Sequence, residues 1–401
     1  MNLGREIVNY IRAGESDGRG LGLEVEHFVV DGNGWPMGFD EITALIDEVA
    51  RDLGARIAYT DGYPVGYFTD GYSVSLEPSC QFEISIDPYS DIDEIRDTYN
   101  RFIALWEPLL AKKGYSLVTK GNLPIVELGQ ITPDEIPLSP KKRYKYMDAY
   151  FKESGKYGEY MMRASTSVQV SIDFSSEEDM VRKLRVIQKI SPVLMIIMEN
   201  KSSETSELVK GSGKIHLHRT QEWDALDPER TGFFPGTFDE DFGYESIAQT
   251  IIHTPLILLT KDGETKGVGH SNALDLVEQG VLDEINDKLI EHIISMGFFH
   301  CRVKRFIEIR VADSVSIDKA LGYVALIKGL VYNYESLLAL EEKLSGISTE
   351  AELQGVVEAI ERDGFEAKIY DGRTAYEWYK DLVELAGEGL TEKDREYLKN
   401  V

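Results

Sequence analysis

At 401 residues, with 42% hydrophobic content and 15 Phe, 21 Tyr and 4 Trp, the chain can bury the core of one large or two ordinary domains, which excludes a disordered protein. Its formal net charge of −27 argues against nucleic acid and anionic membrane surfaces as partners, since both repel an acidic protein. Solubility accounts for most of that charge, and a cluster binding a divalent cation for some of it. The two cysteines, Cys80 and Cys301, give neither a disulfide framework nor a metal-ligand spacing and fit a reducing cytoplasm. Met1-Asn2-Leu3-Gly4-Arg5-Glu6 lacks the basic-then-apolar pattern of a signal peptide, and the apolar run Val193–Met198 is too short to span a bilayer. The expectation is a soluble cytoplasmic protein, monomeric or homodimeric.

Residues 3–13 have the spacing of a short amphipathic helix. It leads into Gly20-Leu21-Gly22-Leu23-Glu24-Val25-Glu26-His27-Phe28-Val29-Val30-Asp31, a strand opened by glycines and closed by a turn. Alternation puts Glu24, Glu26 and Phe28 on one face and Leu23, Val25 and Val29 on the other, with the two carboxylates about 7 Å apart. Two glutamates alone suit a solvated edge strand, but three later stretches repeat the arrangement. Asp40 caps a helix carrying Ile42, Leu45, Ile46, Val49 and Leu53, ended by Gly54. Ser73–Ser85 reads as two strand pieces broken at Pro78, with Glu77, Gln81 and Glu83 on polar faces opposite Val74, Leu76, Phe82 and Ile84. A long helix follows from Ser90 or Asp91 to Gly114, and Ser139-Pro140 opens another.

Met161–Phe174 is the third such strand, with Gln169, Ser171 and Asp173 opposite Val168, Val170 and Ile172. Ser175 and Glu178 form a capping box for a helix that Pro192 should kink. Residues 201–217 are the best candidate for a mobile loop, as a lid or as idle surface. Leu282–Met296 is an amphipathic helix, and His300–Val311 the last unusual strand, with Arg302, Lys304, Phe306, Glu308 and Arg310 at even positions. After residue 316 the chain is helical, with Gly346, Gly364 and Gly387 as stops. Without repeat or linker, residues 1–401 read as one α+β domain.

Four strands apolar on one face and charged on the other imply a curved, largely antiparallel sheet, backed by helices, whose polar face lines a cavity. Its inventory is Glu24, Glu26, Glu77, Glu83, Gln169 and Glu308, with Arg302, Lys304 and Arg310 beside them. Oxygen ligands of this kind suit Mg²⁺ or Mn²⁺; zinc would want His and Cys. Cations next to a metal cluster suit a phosphate-rich substrate. Gly211-Ser212-Gly213-Lys214 lacks the spacing of a phosphate loop, and Gly20-Leu21-Gly22 precedes a strand where a dinucleotide fold needs a helix.

Several segments resemble the plant-type glutamate–cysteine ligase family. Ser73–Ser85 is similar to SVSLEPGGQFELS, Pro140–Tyr144 with Met147 to PKGRYDIM, and Val168–Phe174 to VQVNLDF. Arg219, Trp223, Asp227, Arg230, Thr231 and Gly232 match R-x-x-x-W-x-x-x-D-x-x-R-T-G, Phe238–Gly243 matches FDDSFG, and Arg302–Arg310 resembles RLKRYLEMR. The resemblance implies a glutamine-synthetase-like funnel sheet and an ATP-dependent ligase. In it the γ-carboxylate of glutamate is phosphorylated and the amine of cysteine attacks the acyl phosphate. Metal would be held by Glu24, Glu26, Glu77, Glu83, Gln169 and Glu308, with Glu24, Glu83, Glu308 and Arg310 catalytic. Arg302, Lys304 and Arg305 are assigned to ATP; Arg143, Arg219, Trp223 and Ile257 to the substrates.

Three departures stand out. Ser79-Cys80 replaces Gly-Gly, Arg163 lies one place early on its strand, and Ile257 stands where the family has Tyr. They leave the glutamate and metal half intact and bear on the acceptor amine. The alternatives are a ligase of the same fold using another amine, or a non-catalytic sensor of nucleotide or glutamate; the complete carboxylate set speaks against the sensor.

Overall fold

The computed structural model describes residues 2–79, 81–204, 213–261, 264–282 and 284–401. Its centre is a nine-stranded antiparallel sheet. In chain order the strands are β1 (Leu21–Asp31), β2 (Arg56–Thr60), β3 (Tyr63–Thr69), β4 (Tyr72–Leu76), β5 (Phe82–Tyr89), β6 (Tyr115–Val118) and β7 (Ser167–Ile172). A separate hairpin, β8 (Ile257–Lys261) with β9 (Glu264–Gly269), comes next, and β10 (Cys301–Val303) and β11 (Ile307–Asp313) complete the main sheet. The spatial order is β10-β11-β7-β1-β5-β4-β3-β2, with β6 on the far end of β1.

Register turns the alternation of single strands into a shared surface. Glu24 lies opposite Ser85 on β5 and Gln169 on β7, Glu26 opposite Glu83, and Glu83 opposite Ser75. Glu308 pairs with Ser171 on one side and Arg302 on the other. The other face is apolar and buried: Leu23, Val25, Ile84, Val170 and Ile309 pack with the helices Ile92–Lys112, Glu177–Ile197 and Ile317–Val331. Phe28 leaves the acidic face for a small second core with Leu123, Val126 and Ala164.

Several boundaries differ from the sequence reading. His300–Val311 is a hairpin and not one strand, yet its even residues still share a face because Arg302 registers with Glu308. Met161–Phe174 begins as the end of a helix, Gly158–Ala164, and only Ser167–Ile172 is strand. Arg163 is therefore a helical residue, buried against Asp148 (2.6 Å) and the Ile136 carbonyl (3.2 Å), where strand parity has no bearing. The helix expected at Ser139-Pro140 runs Lys142–Ser154, and that expected from Leu282 runs Asp287–Ser295. Gly38, not Asp40, is the N-cap of Phe39–Asp52, and Ser176, bonded to Asp179 N–H, caps Glu177–Ile197 in place of the Ser175–Glu178 pair. Pro192 lies inside that helix without ending it, and Gly387 lies inside the helix Ala375–Glu388. Cys80 and much of the 201–217 loop fall outside the described residues; Cys301 is buried.

His27 is the polar exception on the apolar face. Its Nδ1 bonds the Phe82 carbonyl (3.1 Å) and so carries the proton, leaving Nε2 to accept from Tyr99 Oη (2.8 Å). Burial pushes its pKa down to about 4. An unfolded chain takes up this proton below about pH 6.5, so between those values the unfolded state binds more protons and stability is lost as the pH falls. His27→Gln offers the same donor and acceptor without the titration. From pH 7 to pH 5 the wild type should lose about 2 kcal/mol more than the variant in urea titrations. Parallel pH curves would remove His27 from that role.

Candidate active site

The polar face lines a cavity of about 290 Å³, at the small end of ligand sites. The sheet contributes Glu24, Glu26, Glu83, Gln169, Arg302, Glu308 and Arg310, and the turns Glu77 and Lys304. The helix Lys142–Ser154 lays Arg143, Tyr144 and Met147 over it, and the helix His218–Asp224 adds Trp223. Pro78, Gln81, Met161, Ser165, Ser167, Ser295 and Phe298 also line it, beyond the residues to which the strand alternation points. Met147 could have been found, because helical spacing puts it one turn on from Arg143, and Tyr144 in turn lies one turn before Met147. Ser295 and Phe298, at and beyond a helix end, carry no periodic signal.

The charge is unevenly divided. Glu83 accepts from Ser75 Oγ (2.9 Å) and Ser85 Oγ (3.2 Å), yet burial and the charges of Glu24, Glu77 and Glu26 raise its pKa well above the carboxylate range. Glu24 is raised by burial and Glu308, with Lys304, Arg310 and Arg302 opposing. Burial and Glu77 push Glu26 up to about 7, against Arg219 and a 2.8 Å bond from Ser167 N–H. Glu308 behaves oppositely. Burial works against its ionisation, but Arg302 (2.7 Å), Lys304 (2.6 Å) and Arg310 (2.9 Å) surround it and hold its pKa below the ordinary value. Gln169 accepts from Arg310 and donates to Glu26 (3.4 Å).

This donor set fits a hard divalent cation: every candidate ligand is oxygen, and three half-buried carboxyls are raised by desolvation and their neighbours' charges. Among the described residues no three acids converge closely enough to enclose an ion as they stand. Glu308 and Gln169 are both bonded to cationic side chains, so the carboxylates in excess are Glu24, Glu26, Glu77 and Glu83.

Of the expected substrate residues, Arg143 reaches the cavity with its buried Nε lacking a hydrogen-bond partner, and Trp223 Nε1 donates to Ser165 Oγ (3.3 Å). Arg219 sits one layer behind, under Arg310, with its guanidinium 5.4 Å from the Trp223 ring and 3.4 Å from the Arg310 carbonyl. Two assignments need correction. Arg305, at the apex of the β10–β11 hairpin, pairs with Asp287 and stacks on Tyr10, away from the lining. Its odd position turns it off the polar face. Ile257 belongs to the separate β8–β9 hairpin, is 1% exposed and lies outside the cavity lining, in a left-handed conformation (φ 60°). Ile257→Tyr should therefore overpack the core, costing about 1–3 kcal/mol in thermal unfolding, and leave acceptor preference unchanged. A shifted acceptor preference at unchanged stability would put Ile257 back in the site.

The fold is that of a glutamine-synthetase-like ligase. It matches the glutamate–cysteine ligase of Francisella tularensis, solved in complex with AMP, at a TM-score of 0.52 and 12% identity over 96% of this chain and 81% of that one. The family model described as Glutamate-cysteine ligase family 2 (GCS2) matches residues 20–399, and the chain belongs to that family. Among its relatives are the chloroplastic glutamate–cysteine ligases of Arabidopsis thaliana, 27% identical over 96% of this chain and 73% of that protein, and of Brassica juncea, 27% identical over 92% and 71%. These plastid relatives overturn the cytoplasmic expectation, which rested on two unpaired cysteines and the lack of a leader pattern; a reducing plastid stroma suits free thiols equally well.

Proposed function

We propose that the chain joins the γ-carboxylate of L-glutamate to the amine of L-cysteine at the expense of ATP, giving γ-glutamylcysteine, ADP and phosphate. The observation that carries this reading is the division of charge in the cavity: surplus carboxylates on β1, β4–β5 and a cage of cations around Glu308. Attack of a carboxylate oxygen on the γ-phosphorus brings anions together, and only a site supplying positive charge from both sides offsets that repulsion.

Mg²⁺ or Mn²⁺ held by Glu24, Glu26, Glu77 and Glu83 would supply charge neutralisation at the phosphates. Arg302, Lys304 and Arg310 are preorganised by Glu308 and face the same cavity, where they stabilise charge developing on the transferred phosphoryl group. Arg143 offers its unpaired guanidinium edge to the glutamate carboxylate, and Arg219 supports it from behind Trp223. The amine nitrogen then attacks the acyl carbon and the acyl–oxygen bond to phosphate breaks. Met147, Met161, Trp223 and Phe298 give the cavity a soft apolar side suited to a small thiol. The whole chain acts as one ligase domain in this reading, with the helices after residue 316 packed behind the sheet.

ADP release with ATP, Mg²⁺ and glutamate, measured across a panel of amines, tests the proposal. Cysteine should be the best acceptor, with alanine and 2-aminobutyrate within about 1–3 kcal/mol, because S–H is a weak donor and an apolar wall discriminates mainly by contact. Preference for a large or charged amine would overturn the acceptor; no glutamate-dependent ADP release with any amine would overturn the ligase reading.

A further inference from the structure

The helix His218–Asp224 carries Arg219 and Trp223, and its two ends are fixed by different means. At its C-terminal end Asp224 accepts from His300 (2.8 Å), tying it to the β10–β11 hairpin. At its N-terminal end the cap is Leu217, buried and held at φ 57°, ψ 43°. That left-handed conformation costs a leucine roughly 1–2 kcal/mol and persists only where the surroundings impose it.

The imposing group is Glu199, 18 residues earlier in the chain and just beyond the end of the helix Glu177–Ile197. One carboxylate oxygen accepts from Leu217 N–H (2.6 Å), and the other from His216 Nδ1 (2.9 Å). Lys201 completes the staple, 3.7 Å from Glu199 and donating to the Ile215 carbonyl (2.7 Å). Glu199 is anchored in turn by its neighbour Asn200, which bonds Asp313 (2.8 Å) and the Ser314 carbonyl (2.8 Å) at the end of β11. Burial opposes the charge on Glu199, but the bonds from His216 and Leu217 outweigh it and keep the carboxyl below its ordinary pKa.

We infer that Glu199 is a positioning residue for glutamate binding: by holding Leu217 left-handed it sets the direction in which the helix leaves the loop, and so where Arg219 and Trp223 stand. Arg219 is only two residues beyond the strained cap, so a change in the backbone at Leu217 moves its guanidinium before anything else in the site. Arg302, Lys304 and Arg310 hang from β10, β11 and their turn, where the ladder pairing of the sheet holds them.

This inference rests on the reading of Arg219 as a glutamate-site residue, and steady-state kinetics on three variants separate the two. Glu199→Ala should raise the glutamate KM about ten-fold, as expected if displacement of Arg219 weakens one charge-assisted contact to glutamate, with the ATP KM unchanged. Glu199→Gln keeps an acceptor for Leu217 N–H and should restore the glutamate KM. Glu199→Asp, too short to reach both partners, should fall between them and serves if the Ala variant does not fold. An unchanged glutamate KM, equal changes in both KM values, or failure of Gln to rescue would overturn the positioning role. Arg219→Ala is measured alongside: if it too leaves the glutamate KM unchanged, the assignment of Arg219 is what fails.

Discussion

Glu83→Gln is expected to abolish turnover while leaving the cation-free protein at least as thermally stable as the wild type. Without a cation beside it, half-buried Glu83 stands among Glu24, Glu77 and Glu26, and its carboxyl is pushed toward the neutral form. An amide in its place removes like-charge repulsion and keeps an oxygen for the Ser75 and Ser85 hydroxyls. What it cannot do is bring negative charge to a bound cation. Mg²⁺ should therefore raise the melting temperature of the wild type and not that of the variant. Glu308→Gln should be equally inactive for a different reason and with the opposite stability signature. It leaves half-buried Arg302, Lys304 and Arg310 without their buried anion, a loss toward the lower end of the roughly 3–5 kcal/mol that follows removal of one partner of a buried ion pair. Scanning fluorimetry with and without Mg²⁺, beside an ADP-release assay, reads all of this. Near wild-type turnover in either variant would sink the corresponding assignment, and equal melting shifts in both would refute the uneven division of charge.

Arg143→Ala should raise the glutamate KM ten-fold or more with little change in the ATP KM, since an arginine gripping a carboxylate by two hydrogen bonds contributes roughly 1.5–3 kcal/mol. Of the two, Arg143 is proposed as the direct ligand. Arg143 lines the cavity with an unpartnered buried Nε, whereas Arg219 lies behind, bonded to the Arg310 carbonyl and close to the charges of Asp313 and Glu26. Arg143→Lys should recover only part of the loss, because an ammonium lacks the planar fork. Arg219→Ala should raise the glutamate KM as well and also lower stability, since half-buried Asp313 and Glu26 lose their nearby cation. A lysine variant at 143 that binds glutamate as well as the wild type would argue for simple charge attraction there.

The acidic face was legible because alternation within a strand is a local property, and Glu24, Glu26, Glu83, Glu308 and Arg310 all obey it. Even where His300–Val311 turned out to be two strands, the count survived, since the hairpin reflects about Arg305 and returns Glu308 to the side of Arg302. The same parity places Arg305 off the polar face, so its assignment to ATP contradicted a signal already in the sequence. Ile257 had no such signal. It was reached only by resemblance, and membership of a separate two-stranded sheet depends on long-range packing that no local period reports. Helix starts were misjudged where two capping residues compete, as at Ser175 and Ser176. The three-cation cage of Glu308 joins side chains that register brings together; residue types alone suggested a metal ligand, not an ion-paired anion.

The placing of core and cavity on opposite sides of β1 sets what length changes the gene can accept. Deleting one codon between Leu21 and His27 would exchange the two faces beyond the deletion, sending Glu24 and Glu26 into the helices and Val25 toward the cavity. Deleting two would keep the faces but slide the glutamates about 7 Å past Ser85 and Glu83, out of step with Gln169. Neither error can be repaired by a nearby substitution, because the whole strand is displaced. The turn at Arg305 is different: Arg302 and Glu308 are matched by ladder pairing, so an extra residue at the apex can bulge outward. Among natural relatives of this chain, insertions should therefore collect at that turn and be absent from Leu21–His27, a pattern of gaps and not of substitutions.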